Sequence, residues 1–242
     1  MAKELGEKRL GCNRFEYAKL FDCIEQNSRQ QMPEEVNQAV EHFKKKFQTS
    51  LLGVLFYGSC LREQDCSSVL DFHLLVDQYW SKGQSWWEAG LNFLLPPNVY
   101  NMNLNLGQRV ISGKYAVYPL KTFSRAVSEK CIHPYFWARF AQPTVVAYAK
   151  DDSTRIRIVR GLVQALHTFV DQTAPIVQHP FSVRDFWITG LSASYSTELR
   201  SESFPTISKI YDANKNHLQK VTPLALYLSK YNIYPVGSNP CY

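Results

Sequence analysis

No run of this chain reaches the ~18 uninterrupted apolar residues that crossing a bilayer requires, so a helical membrane span is excluded. Cysteine is sparse and irregular. Cys12, Cys23, Cys60, Cys66, Cys131 and Cys241 form no C-x-x-C pair and no repeated spacing, which argues against a structural zinc site. In a chain of 242 residues without a signal sequence, these thiols are expected to be reduced. There are no internal repeats, no low-complexity tracts and no long linker, which argues against a solenoid, and the tail after Pro235 reads as irregular. The opening M-A-K-E-L-G-E-K-R-L-G mixes acids with bases and has no apolar h-region. It is read as neither a secretory signal nor a mitochondrial transit peptide. The expectation is a soluble protein, or one that at most rests on a membrane surface. Neither charge sign dominates: the net charge of +6 favours an anionic partner (nucleotide, acidic lipid surface or nucleic acid) without choosing among them.

What is present suits an ordinary globular protein, with 45% hydrophobic and 20% charged residues and a rich 14% of aromatics. The length suits one large domain or two small ones. Residues 14–48 read as helix: Phe15, Ala18, Leu20, Phe21 and Ile24 recur at helical spacing. Pro33 before Glu34-Glu35 opens a second helix that closes on Lys44-Lys45-Lys46. Lysines at a helix C-terminus are favoured by its dipole, so the run reads as a solvated helix end. Leu51–Phe56 and Val69–Val76 are apolar and of strand length. The aromatic segment between Trp80 and Pro97, with Trp86, Trp87, Leu91, Phe93 and Leu94, reads as helical. Val99–Leu106 alternates apolar residues with Asn101, Asn103 and Asn105, as a strand with one wet face does. Gln108–Tyr118 is a further strand in which Gly113 marks a bulge or a close backbone approach. From Leu120 onward the pattern is helical, over Thr122–Lys130, Arg155–Val170, Phe181–Arg200 and Thr206–Ser229. The expected class is therefore α+β, a small mixed sheet flanked by helices with a helical C-terminal part. The expected organisation is an N-terminal helical segment at 1–50, a sheet core at 51–120 and a helical domain at 121–242.

The stretch that speaks to chemistry is Leu51–Asp77. An apolar strand runs into Gly58-Ser59, a polar loop follows, and a second apolar strand carries Asp71 near its start. A Gly-Ser turn lets backbone N–H groups and a hydroxyl approach a phosphate chain, because glycine has no Cβ in the way. A carboxylate on the neighbouring strand can hold a divalent metal against the same phosphates. His73 falls two residues after Asp71 and so shares its face, with Cα atoms on the order of 6–7 Å apart. As a neutral imidazole it could ligate a metal, though Mg²⁺ prefers oxygen; it reads rather as a residue that hydrogen-bonds a phosphate or simply occupies the site. Asp77 shares the face too but lies roughly 20 Å along, too far to share a metal, and reads as a strand-end carboxylate. Cys60 is read as a small residue filling the turn rather than as a nucleophile. On spacing alone, Gly58-Ser59 is equally an ordinary turn between two core strands. Lys114, in a strand expected beside that of Asp71, either offsets phosphate charge or is a strand-edge lysine. Arg139, among Tyr135, Phe136, Trp137 and Phe140, either stacks on rings or reaches an anion.

This layout resembles nucleotidyltransferases of the DNA polymerase beta superfamily. In patches from about Leu52 to Leu218 the chain is similar to the mitochondrial phosphatidate cytidylyltransferase family, the translocator assembly and maintenance proteins. Its Y-G-S-G and L-D-F-x-F-x-V-D are matched here by Y-G-S-C at Tyr57–Cys60 and L-D-F-H-L-L-V-D at Leu70–Asp77. K-Y-G-V is matched by K-Y-A-V at Lys114–Val117. A-G-R-L-Q-K-P is echoed by W-A-R-F-A-Q-P at Trp137–Pro143, which keeps Arg139 and replaces a lysine with Gln142. G-L-S-Y-S-G-D-F-R resembles G-L-S-A-S-Y-S-T-E-L-R at Gly190–Arg200, with Glu198 in place of Asp; Asn214 and Leu218 follow.

The resemblance implies transfer of CMP from CTP to phosphatidate, giving CDP-diacylglycerol and pyrophosphate, with Mg²⁺ (or Mn²⁺) as cofactor and no nucleic-acid partner. It implies catalytic roles for Asp71, Lys114 and Glu198, with Asp71 the metal ligand. Tyr57, Gly58, Ser59, His73, Arg139 and Arg200 would bind the nucleotide. The expected location is cytoplasmic, peripheral on the inner face of a membrane, with the Trp86-Trp87 segment or Leu224–Tyr234 dipping into the interface. Two alternatives stay open from the residues alone: a nucleotidyltransferase with a soluble acceptor, and a nucleotide-binding relative with little catalysis.

Overall fold

The computed structural model describes residues 2–63, 69–78, 99–106, 109–131, 133–197, 204–231, 233–236 and 241–242. The segment expected to be helical around Trp86-Trp87 lies outside them, as do Glu198 and Arg200. The architecture is a mixed α/β one, and the described chain divides into two units, each with its own interior.

One unit comprises Ser28–Arg125 and Thr144–Ile158 and holds the sheet. Its strands are β1 (Leu51–Tyr57), β2 (Leu70–Val76), β3 (Val99–Leu106), β4 (Arg109–Pro119) and β5 (Val145–Ala149), in the order β3-β4-β2-β1-β5. β2 runs parallel to β4, and the remaining neighbours are antiparallel. α2 (Glu34–Phe47) covers one face of the sheet. Val36, Ala39, Val40 and Phe43 recur at the spacing that lays one stripe along a helix, and all four are buried. They pack on Val54, Phe56, Phe72, Leu74 and Tyr115, with the Phe43 ring 5.3 Å from Phe72 and 5.1 Å from Tyr115. Ile158 packs against Gly53 from the other face. α3 (Ser59–Glu63) follows β1 directly, and α4 (Leu120–Ala126) follows β4.

The other unit comprises Met1–Asn27, Ala126–Pro143 and Val159–Tyr242. It contains α1 (Ala2–Asn27), α5 (Tyr135–Phe140), α7 (Val183–Tyr195), α8 (Phe204–Tyr227) and most of α6 (Asp152–Thr173). The Phe169 and Trp187 rings stack at 4.5 Å, and the Trp187 indole N–H donates to Thr222 Oγ1 at 2.8 Å. A capping box at Ser182 and Asp185 starts α7. No helix among the described residues is long and apolar enough to cross a membrane.

Three local expectations change. The part read as wholly helical after Leu120 supplies β5, a five-residue strand too short to show a period of its own, and it pairs with β1. The helix expected over Thr122–Lys130 is α4, which stops at Ala126 and gives way to turns. Gly113 marks no bulge, for pairing is regular through it on both sides. It is a close approach: a Cβ there would stand 2.6 Å from Met102 Cε and 3.2 Å from the Leu70 carbonyl oxygen.

Candidate functional site

The site grows out of strand register. Tyr57 pairs with Asp71, Asp71 with Lys114, and Lys114 with Asn101. Directly paired residues lie on one face, so these four form a row across β1, β2, β4 and β3, at about 4.8 Å per step. Lys114 and Asn101 are exposed, while Tyr57 and Asp71 are half-buried. Two residues further along β2 the row is Leu55, His73, Ala116 and Val99, apolar apart from the imidazole.

Gly58 turns the chain out of β1 at φ 99°, a conformation that side-chain-bearing residues rarely adopt. A Cβ built there would stand 2.8 Å from Asp71 Oδ2 and 3.5 Å from its Cγ. The carboxylate thus lies against bare backbone, in space that any other residue would fill. Ser59 then opens α3, where the Arg62 N–H donates to the Gly58 carbonyl at 3.3 Å. Turn and carboxylate are thus brought together, with Ser59 the next residue in the chain.

His73 is 1% exposed. Its ring stacks on Tyr57 at 4.8 Å and meets the edge of Tyr118 at 5.5 Å. Asp77 is exposed at the strand end, where its N–H donates to the Ser50 carbonyl at 3.1 Å. The lysine run at the end of α2 is engaged locally: Lys44 pairs with Glu41 at 2.7 Å, and Lys46 donates to the Tyr115 hydroxyl. In the helical unit Arg139 stands over the Tyr135 ring at 4.5 Å, the stacking that its aromatic surroundings suggested. Gln142 donates to the Ala138 carbonyl and the Tyr195 hydroxyl, both at 3.1 Å.

Cys60 corrects an expectation. It is 1% exposed and disulfide-bonded, where the sequence suggested reduced thiols throughout. Pairing depends on how closely the fold brings two Cα atoms together, which spacing along the chain does not reveal. Cys23, Cys131 and Cys241 are free thiols.

Among the described residues no group of three or more His, Cys, Asp or Glu could hold a metal by itself. Asp71 therefore offers one carboxylate. A single carboxylate suits Mg²⁺ that arrives on a triphosphate, because this ion is usually held by one or two carboxylates plus substrate phosphates and keeps several waters. Reading the sequence missed Asn101 as a member of the row. Its alternation with apolar neighbours announced a wet strand face, but only the β3–β4 register places it beside Lys114.

No protein-family model matches the chain, and none of the curated proteins compared with it does. A functional reading therefore rests on the motif patches and on the geometry of this row.

Proposed function

We propose that this chain is a metal-dependent nucleotidyltransferase that transfers CMP from CTP to phosphatidate, releasing pyrophosphate and forming CDP-diacylglycerol. The observation that carries the reading is the Asp71 carboxylate set against the positive-φ Gly58 turn, in the space a Cβ would take. The choice of CTP and phosphatidate comes from the resemblance of the motif patches.

In this reading the bare backbone at Gly58 and the Ser59 hydroxyl cradle the β- and γ-phosphates. Mg²⁺ or Mn²⁺ would be held by Asp71 and supplies charge neutralisation along the triphosphate. The Lys114 ammonium, one strand over, offsets further phosphate charge. His73 packs under Tyr57 and sets the ring that borders the turn. The resemblance adds Arg139, Glu198 and Arg200 to the groups that meet the substrates. A phosphatidate phosphate oxygen attacks the α-phosphorus of CTP, a new P–O–P bond forms, and pyrophosphate departs. This nucleophile is already ionised near neutral pH, so no general base is needed; catalysis is positioning and charge stabilisation. The acceptor's acyl chains place the enzyme on the cytoplasmic face of an anionic membrane, and its net charge of +6 assists that encounter.

The test is incubation with α-phosphate-labelled CTP, Mg²⁺ and phosphatidate vesicles. Label in the lipid fraction is the expected result. Label on a water-soluble product would favour a soluble acceptor, and CTP binding without turnover would leave a nucleotide-binding protein.

A further inference from the structure

The outer face of the β3–β4 hairpin continues the Asp71 row and is built from amides and a cation. Asn101 pairs with Lys114, and Asn103 pairs with Ser112. All four side chains are exposed. Asparagine is depleted from strands, where β-branched and aromatic residues fit the pleat better. Placing Asn101 and Asn103 on one face therefore goes against local preference, and such departures concentrate at functional positions.

The hydrogen bonding of the pair gives the face a polarity. Ser112 Oγ donates to Asn103 Oδ1 at 3.0 Å, which engages the amide oxygen and keeps the two N–H groups of the exposed Asn103 amide as donors. Lys114 adds an ammonium. Neither β3 nor β4 contains an acidic residue. The strip thus offers donors and positive charge, the complement of a phosphate with ester oxygens around it.

The position of the strip selects between the two substrates. The Gly58 turn lies beyond β1 on one side of Asp71, and β4 and β3 lie on the other. Phosphoryl displacement runs in line, with the nucleophile entering opposite the leaving group. If pyrophosphate departs from the Gly58 side, the nucleophile arrives from the side of Lys114 and Asn101. Asn103 and Ser112 are about 7 Å further along the hairpin. They extend past the start of β2, toward the sheet end that carries the turn.

We infer that Lys114, Asn101, Asn103 and Ser112 form the subsite for the acceptor's phosphate headgroup, that of phosphatidate. This rests on the nucleotidyltransferase reading and deepens it. Asn101 and Asn103 set acceptor affinity, and the triphosphate does not touch them.

The experiment measures KM for dihexanoyl phosphatidate and for CTP separately, in the full chain and in Asn101→Ala, Asn103→Ala and Asn103→Asp. These positions are exposed, and circular dichroism checks that each variant keeps its fold. Each alanine variant is expected to raise KM for phosphatidate about tenfold, the loss of one hydrogen bond to a charged oxygen. Asn103→Asp should raise it by more than about tenfold, since a carboxylate then faces the phosphate. KM for CTP should stay within about twofold in all three. An unchanged KM for phosphatidate in an active variant overturns the subsite while leaving the transferase reading intact. So does an equal rise in KM for CTP. A wild-type chain that transfers no CMP overturns both.

Discussion

At Gly58 two constraints meet. The backbone needs a positive φ, and the space a side chain would enter is occupied by Asp71 Oδ2. Gly58→Ala is therefore expected to cost on the order of 1–2 kcal/mol in urea unfolding, and to lower CMP transfer by more than about tenfold as the carboxylate is pushed aside. Asp71→Asn keeps the volume but removes the anionic oxygen. It should leave the thermal midpoint within a few degrees while transfer falls below about a tenth of wild type. Ser59→Ala removes one hydroxyl and should be milder, raising KM for CTP more than it lowers kcat. At this scale the sequence was largely legible. A Gly-Ser pair between apolar runs, with an acid at the start of the second, announces a turn against a carboxylate. What it did not announce was the state of Cys60, because a disulfide depends on three-dimensional proximity, or the burial of His73 between Tyr57 and Tyr118.

Between α6 and α7 the contact depends on the absence of a side chain. A Cβ at Gly190 would fall 2.5 Å from Phe169 Cζ and closer still to Thr173 Oγ1. Gly190→Ala must push α7 off α6 or distort the Phe169–Trp187 stack, at a cost of about 1–3 kcal/mol read as a lowered urea midpoint. A variant as stable as wild type would contradict that packing. Helices with a clear apolar stripe were legible: α2 starts one residue after Pro33 and ends just beyond its lysines. Short elements were not. β5 spans five residues and gains its strand character from pairing with β1, while α3 occupies a stretch that read as polar loop. The period-two asparagines marked β3 as half-wet, but the register that brings Asn101 to Lys114 is a pairing between strands and leaves no mark in either alone.

The helical unit carries a pH sensitivity of its own. Burial, with a smaller push from Lys220, lowers the His217 pKa to about 4. Burial also lowers that of His167, against the opposing pull of Asp171. For a histidine whose folded pKa is depressed, the unfolded chain takes the proton first as pH falls. Stability is then fully present above about pH 6.5, and is lost as pH falls from there through about 4. A drop of that size corresponds to roughly 3 kcal/mol. Urea midpoints measured between pH 7 and pH 4 should fall steadily in wild type and less steeply in His217→Gln. Equal slopes in the two would assign the acid loss to other groups.

The most direct measurement on the whole protein is calorimetric titration of CTP, with and without Mg²⁺, into wild type and Asp71→Asn. Binding should require Mg²⁺ in wild type and weaken by more than about tenfold in the variant. Equal affinity in the two proteins, or no binding to wild type, would contradict a nucleotide site built on Asp71 and the Gly58 turn.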